Sequence, residues 1–399
     1  MKNSAVLTKY ILTLFFVIFA YPTSNLSLID NNSEQGNAII STPLCLPGIY
    51  LQDPGNCLPA GPSTYLTQLG QRGMSLPLAP LPAMQADPSL AQIDMHYGQI
   101  VNNNAPVFAT VDDASKGRRQ NAIEQINAEF AYIAYKEDMV INGKRFYNTD
   151  KGWMTANDVS RIGALPRFQG LVFSRTPINS FGWVLGYLNP EPVQTKRTPG
   201  YKGEDYTGHQ LNDYDVVQIY GEEQVDENTW YMVGPDEWVP ERVIARVIPM
   251  TNPPEGLTGD RWIEVNLYEQ TLAVYDQRKL VFATLIASGA EPFWTKPGLF
   301  QIYEKHEMTP MRGAFSADGS NGYYLEAVPW TMYFDEARAL HGAYWRAKLG
   351  FQQSHGCINL TVGDAHWLFN WANTGDFVYV WDPSGQTPTD PSLYTSGGY

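Results

Sequence analysis

From Arg261 onward the chain alternates: Ile263, Val265 and Leu267 fall on one side, a turn comes at Glu269 and Gln270, and Leu272 and Val274 resume the pattern. A period of two puts one set of side chains on one face of a strand, so this stretch predicts a hairpin. Residues 280–287 predict a further strand, 299–303 another, and 323–334 one more that leads into His341. Ala365, Leu368, Phe369 and Ala372 fall at three- and four-residue spacing and predict a helix, capped by Asp364 and ended by Gly375, before a last strand at 377–381. Helical periodicity is rare elsewhere, and 34 glycines and 28 prolines suit short strands joined by tight turns. The expected fold is mostly β.

Upstream lies an internal echo. Phe146-Tyr147, Trp153-Met154, Val159, Arg161 and Ile162 recur as Trp230-Tyr231, Trp238-Val239, Ile244, Arg246 and Val247, with the same offsets of six, eight and nine residues from each tryptophan. Two copies of one module are the simplest cause. An aromatic pair, a turn and a Trp-led strand fit a hairpin in a small barrel, and the copies resemble bacterial Src-homology-like barrel modules. The alternative is that both only pack against the next domain. The expected organisation is therefore a signal peptide or anchor at 1–22, a disordered Pro/Ser-rich tether at 23–105, two small β-barrel-like modules at 106–163 and 164–250, a linker at 251–257, a final domain at 259–382 and a flexible tail at 383–399.

The 399 residues are 44% apolar and 13% aromatic, enough for several cores, and the net charge of −14 without a basic tract argues against nucleic acid. Lys2 and Lys9 precede the apolar run 10–21, which has the form of a secretory signal. No good cleavage site follows, so a retained anchor at 10–21 stays open; either way the bulk is expected to be exported to the cell envelope or beyond. In an oxidising compartment Cys45 and Cys57 would form a disulfide, with two free thiols as the alternative.

The chemistry concentrates late in the chain. His341 is followed, after twelve intervening residues, by Ser354-His355-Gly356-Cys357-Ile358-Asn359, and three of the nine cysteines and histidines lie between 341 and 357. Cys357 is a candidate thiolate nucleophile, and a free thiol with a pKa of about 8.5 needs a neighbour to activate it. His341 is the better base, because 354–359 is too short for His355 to fold back over Cys357. Gly356 permits close backbone approach, and the N–H groups of Gly356 and Cys357 could stabilise an oxyanion. A zinc site from His341, His355 and Cys357 fits poorly: 355 and 357 are too close, and no second cysteine is near.

His341-Gly342, Ser354 to Asn359, Ser288-Gly289 and Thr295-Lys296-Pro297-Gly298 together resemble the L,D-transpeptidase catalytic domain of the YkuD type, over residues 261–381. The resemblance implies a YkuD-like catalytic β-sandwich with no cofactor and no metal. It implies that Cys357 takes the acyl group of a peptidoglycan tetrapeptide stem, expelling D-alanine, and that an amine of a neighbouring stem resolves the thioester in a 3–3 cross-link. Carbapenem acylation would follow. It makes His341 base and later acid, the Gly342 carbonyl the group that orients the imidazole, and His355 and Gly356 lining residues. Many members have Arg where Asn359 stands, which puts a carboxylate-binding role for that position in doubt. Ser354, Asn359, Trp330 and Tyr324 are expected to bind substrate, Tyr323 with them, although aromatic strand residues could equally be core. Residues 308–321, with Met311, Arg312, Asp318 and Gly319, fall where the family places a lid. An L,D-carboxypeptidase using water is one alternative. A non-catalytic wall-binding protein is another, and the intact set of His341, His355, Gly356 and Cys357 speaks against it.

Overall fold

The computed structural model describes residues 62–394, except 73, 75, 128–129, 164–167, 169, 187–191 and 315–321. The expected export segment, Cys45, Cys57 and the tether up to residue 61 lie outside the described residues, as do 395–399.

The chain is mostly β. One sheet runs in the order Ala83–Gln85, Leu171–Phe173, Lys279–Leu285, Thr271–Asp276, Trp262–Asn266, Phe377–Trp381, Gly298–Gln301. The hairpin expected after Arg261 is present, with Ile263 opposite Val274 and Val265 opposite Leu272. Those four side chains join Leu340, Ile358, Leu360, Leu368 and Val378 in one core. The opposite face is buried too: Trp262, Tyr275, Leu280 and Leu285 pack against Phe181, Trp183, Ala245 and Val247. A neighbouring module therefore covers the face that simple alternation would leave to water.

That neighbour is built from Val216–Ile219, Ser180–Val184 and Ile244–Val247, and from a five-stranded sheet of Tyr206–Leu211, Val193–Lys196, Glu237–Pro240, Asn228–Gly234 and Gly221–Val225. The internal echo maps onto like pieces of structure. Lys144–Thr149 with Gly152–Thr155, and Asn228–Gly234 with Glu237–Pro240, are both antiparallel hairpins. Each is followed by a short strand, Val159–Arg161 and Ile244–Val247.

The first copy does not stand apart from the last domain. A second large sheet runs Ile358–Leu360, Arg338–Gly342, Gly322–Asp335, Phe130–Ile141, Lys144–Thr149, Gly152–Thr155, Ala105–Phe108, Ala122–Ile126. The join is parallel, with Tyr323, Tyr324 and Leu325 opposite Phe130, Ala131 and Tyr132. Residues 83–105, expected within the tether, also carry structure: Ala83–Gln85 pairs with Leu171–Phe173, and His96–Ile100 with Phe130–Ile141. These strands are too short to show a period, and their backbone groups find partners only through the tertiary fold.

The helix near the C-terminus is Val362–Trp371, and its N-cap is Thr361 rather than Asp364. Thr361 has extended backbone and its Oγ1 accepts from the Asp364 N–H at 3.1 Å. Asp364, three residues on, is buried and accepts from Gly170 N and Thr284 Oγ1, each at 2.7 Å. Burial lifts its carboxyl to about 6.

Candidate active site

The register of two parallel strands assembles the site. Leu340, His341 and Gly342 lie opposite Ile358, Asn359 and Leu360. Asn359 therefore shares a face with His341, and Cys357, two residues before Asn359, falls on that same face. On its other edge Asn359 exchanges backbone hydrogen bonds with Ala287, N to O at 3.0 Å in both directions. Cys357, His341, His355, Ser354 and Asn359 line one crevice. Tyr323, Leu325, Met311, Phe130, Trp345 and Arg346 complete its wall.

The polar order within the crevice is well defined. His341 Nδ1 donates to the Gly342 carbonyl at 3.3 Å, which makes Nε2 the acceptor nitrogen. Asn359 Nδ2 donates to that Nε2 at 3.1 Å, and the amide is oriented by Arg346 Nε donating to Asn359 Oδ1 at 3.3 Å. The thiol points elsewhere at rest, with Cys357 Sγ 3.8 Å from the Ala337 carbonyl. Burial raises the thiol above its ordinary value, opposed by the Ala339 N–H and the Arg338 charge. Burial lowers His341 to about 4, with a further push from the Arg346 charge, and lowers His355 to about 4 for the same reasons. At neutral pH the site holds a neutral thiol and two neutral imidazoles.

The loop carrying the thiol is braced from behind. Gly356 has a φ of +105°, and a Cβ there would lie 3.1 Å from Arg338 Nε and 3.4 Å from the Trp294 carbonyl. Thr295 Oγ1 donates to the Gly356 carbonyl and accepts from Gly289 N, both at 2.9 Å. Gln270 Nε2 donates to Ser288 Oγ at 2.7 Å. Ser354 Oγ donates to the Cys357 carbonyl at 2.5 Å and accepts from Gly356 N at 3.2 Å, so one of the two N–H groups considered for an oxyanion is already engaged. His355 lies between Phe293 and Tyr323, at 4.7 and 5.4 Å between ring centroids.

Two expected substrate-binding residues are not in the crevice. Tyr324 points to the opposite face of its strand from Tyr323 and Leu325, and its hydroxyl donates to Glu326 Oε1 at 2.7 Å. Trp330 stacks on His366 at 3.8 Å and contacts Phe369, so it holds the helix to the sheet. Strand alternation decides the first and helix packing the second. The described part of the expected lid, 308–314, belongs to the strand Glu304–Ala314, which runs alongside Gly322–Asp335. Residues 315–321 lie outside the described set.

Three contributors escaped sequence reasoning. Arg346 lies five positions after His341 with no motif of its own, Arg338 sits buried behind Gly356, and Phe130 arrives from a strand some two hundred residues upstream. Only an unpaired basic residue close to the His341-Gly342 pair could have hinted at the first.

Residues 260–380 match the family model of the YkuD L,D-transpeptidase catalytic domain. The putative L,D-transpeptidase YciB of Bacillus subtilis is 28% identical over 122 residues, 27% of this chain and 59% of that protein. The chain thus spans less than two thirds of that curated relative. The catalytic domain of the E. faecium L,D-transpeptidase is 30% identical, covering 32% of this chain and 100% of that one, with a TM-score of 0.29. An L,D-transpeptidase from Mycobacterium smegmatis is 18% identical over 42% of this chain and 90% of its own, also with a TM-score of 0.29. The segment that brings Cys357 and His341 onto one face of a sheet is accordingly an L,D-transpeptidase catalytic domain of the YkuD family.

Proposed function

We propose that this domain is a cysteine-dependent L,D-transpeptidase that builds 3–3 cross-links in peptidoglycan through a thioester on Cys357. The observation that carries the proposal is the parallel register that pairs His341 with Asn359, two residues after Cys357, with all three lining one crevice. His341 Nε2 takes the thiol proton as Sγ bonds to the carbonyl carbon of the third stem residue. To do so it must first release the Asn359 amide that occupies its lone pair. The tetrahedral intermediate collapses with cleavage of the bond to D-alanine, whose amine takes the proton from His341. An acceptor amine then attacks the thioester, giving a proton to His341, which returns it to the departing sulfur. The Gly342 carbonyl keeps Nδ1 protonated throughout and so keeps Nε2 available. Such a substrate lies in the cell envelope, which suits an exported protein carrying the apolar run 10–21.

The test is intact mass after exposure to a carbapenem, with Cys357→Ala as control, followed by incubation with disaccharide-tetrapeptide. We expect a single adduct on the native protein, none on the variant, and cross-linked dimer as product. An adduct on Cys357→Ala would overturn the nucleophile, and tripeptide without dimer would replace transpeptidation by carboxypeptidase action.

A further inference from the structure

We infer that Arg346 recognises a free carboxylate on the donor stem peptide, next to the bond that Cys357 attacks. The inference rests on the proposed use of Cys357 as nucleophile and names the charge its substrate must carry.

The half-buried Arg346 side chain lines the crevice with Cys357 and His341. Its hydrogen-bond acceptors are all neutral oxygens, Nε donating to Asn359 Oδ1 at 3.3 Å, Nη1 to Gln353 Oε1 at 3.2 Å and Nη2 to the Gln353 carbonyl, and its guanidinium lies over the Phe130 ring at 5.8 Å from the centroid. A guanidinium has five N–H groups. Two of them, one on each terminal nitrogen, find no acceptor among the described residues. Nor does any Asp or Glu among the described residues pair with Arg346, whereas Arg246, Arg261 and Arg338 each have a carboxylate partner.

A desolvated cation without a counter-ion is unfavourable, and an incoming anion relieves it. Burial lowers Arg346 to about 10, which still leaves it charged at neutral pH. In a chain of net charge −14 this cation is a local exception placed in the crevice of the nucleophile. The two terminal nitrogens match the two oxygens of a carboxylate, and their existing bonds to Gln353 hold the fork in place. The Asn359 amide, which donates to His341, lies between the guanidinium and the base, so Arg346 touches the base only through Asn359 and its terminal nitrogens stay available to a ligand in the crevice.

The experiment separates recognition from catalysis by measuring binding in the Cys357→Ala full chain. Its probes are the donor tetrapeptide with free carboxylates and two versions in which the leaving residue's carboxylate or the third residue's side-chain carboxylate is a carboxamide. One carboxamide should bind at least about 10-fold more weakly, from the loss of a charge-assisted pair. Adding Arg346→Gln should weaken the free acid to the level of that amide and remove the difference, while Arg346→Lys should keep part of it. Equal affinity for acid and both amides, or an undiminished difference in Arg346→Gln that folds with native circular dichroism, would overturn the assignment. Absence of thioester on the native protein while the acid–amide difference persists would instead overturn the proposed activity.

Discussion

Substituting His341 by Ala tests whether Cys357 waits as a thiol. Burial brings His341 from 6.5 to about 4 and pushes the Cys357 thiol up from its ordinary value. Both shifts disfavour the thiolate–imidazolium pair, so the site rests as thiol and neutral imidazole. At 1.36 kcal/mol per pH unit the His341 shift alone costs the imidazolium roughly 3 kcal/mol. The Arg338 charge and the Ala339 N–H act for the thiolate, but desolvation outweighs them. The sign follows: His341 keeps its base form until the pH falls to about 4, and Cys357 stays protonated until the pH rises past its ordinary range. The assay is thiolate absorbance and the iodoacetamide alkylation rate from about pH 5 to about pH 10, with the His341 ring carbons followed by NMR. We expect alkylation to climb about tenfold per pH unit through neutrality, with the same slope in His341→Ala, and ring resonances that move near pH 4. A flat, fast alkylation between about pH 5 and 8 that disappears in His341→Ala would show a resting ion pair and refute the reasoning.

Two further substitutions probe the brace behind the thiol. Gly356→Ala places a Cβ at a left-handed φ and against Arg338, whose terminal nitrogens are held by Asp335 Oδ2 and the Tyr394 carbonyl at 2.9 and 2.8 Å; we expect about 1–3 kcal/mol of lost stability by denaturant titration and a larger loss of acylation rate than of stability. Thr295→Val removes the hydroxyl that joins Gly289 N to the Gly356 carbonyl and leaves both buried groups without it; a loss of about 1–3 kcal/mol is expected, with slower acylation at unchanged circular dichroism.

Much of the last domain was legible from local pattern. The hairpin after Arg261, the helix at 362–371 and the strand at 377–381 follow from spacing along one element, because side-chain direction repeats every two or 3.6 residues. Cys357, His341 and Gly356 stood out through the scarcity of their residue types and the conformational needs of glycine. Thr361 was missed as the helix cap because Asp364 is also a capping residue, and only the backbone angles separate them.

What the chain alone determined was thus the period of its elements and the chemistry available to them. What only the folded molecule decided was which distant elements meet: Tyr324 turned from the crevice while Phe130 entered it, Arg346 was brought onto Asn359, and residues 83–100 found sheet partners. The physical reason is that strand pairing satisfies backbone groups without regard to sequence distance, and a register of one residue selects which side chains share a face.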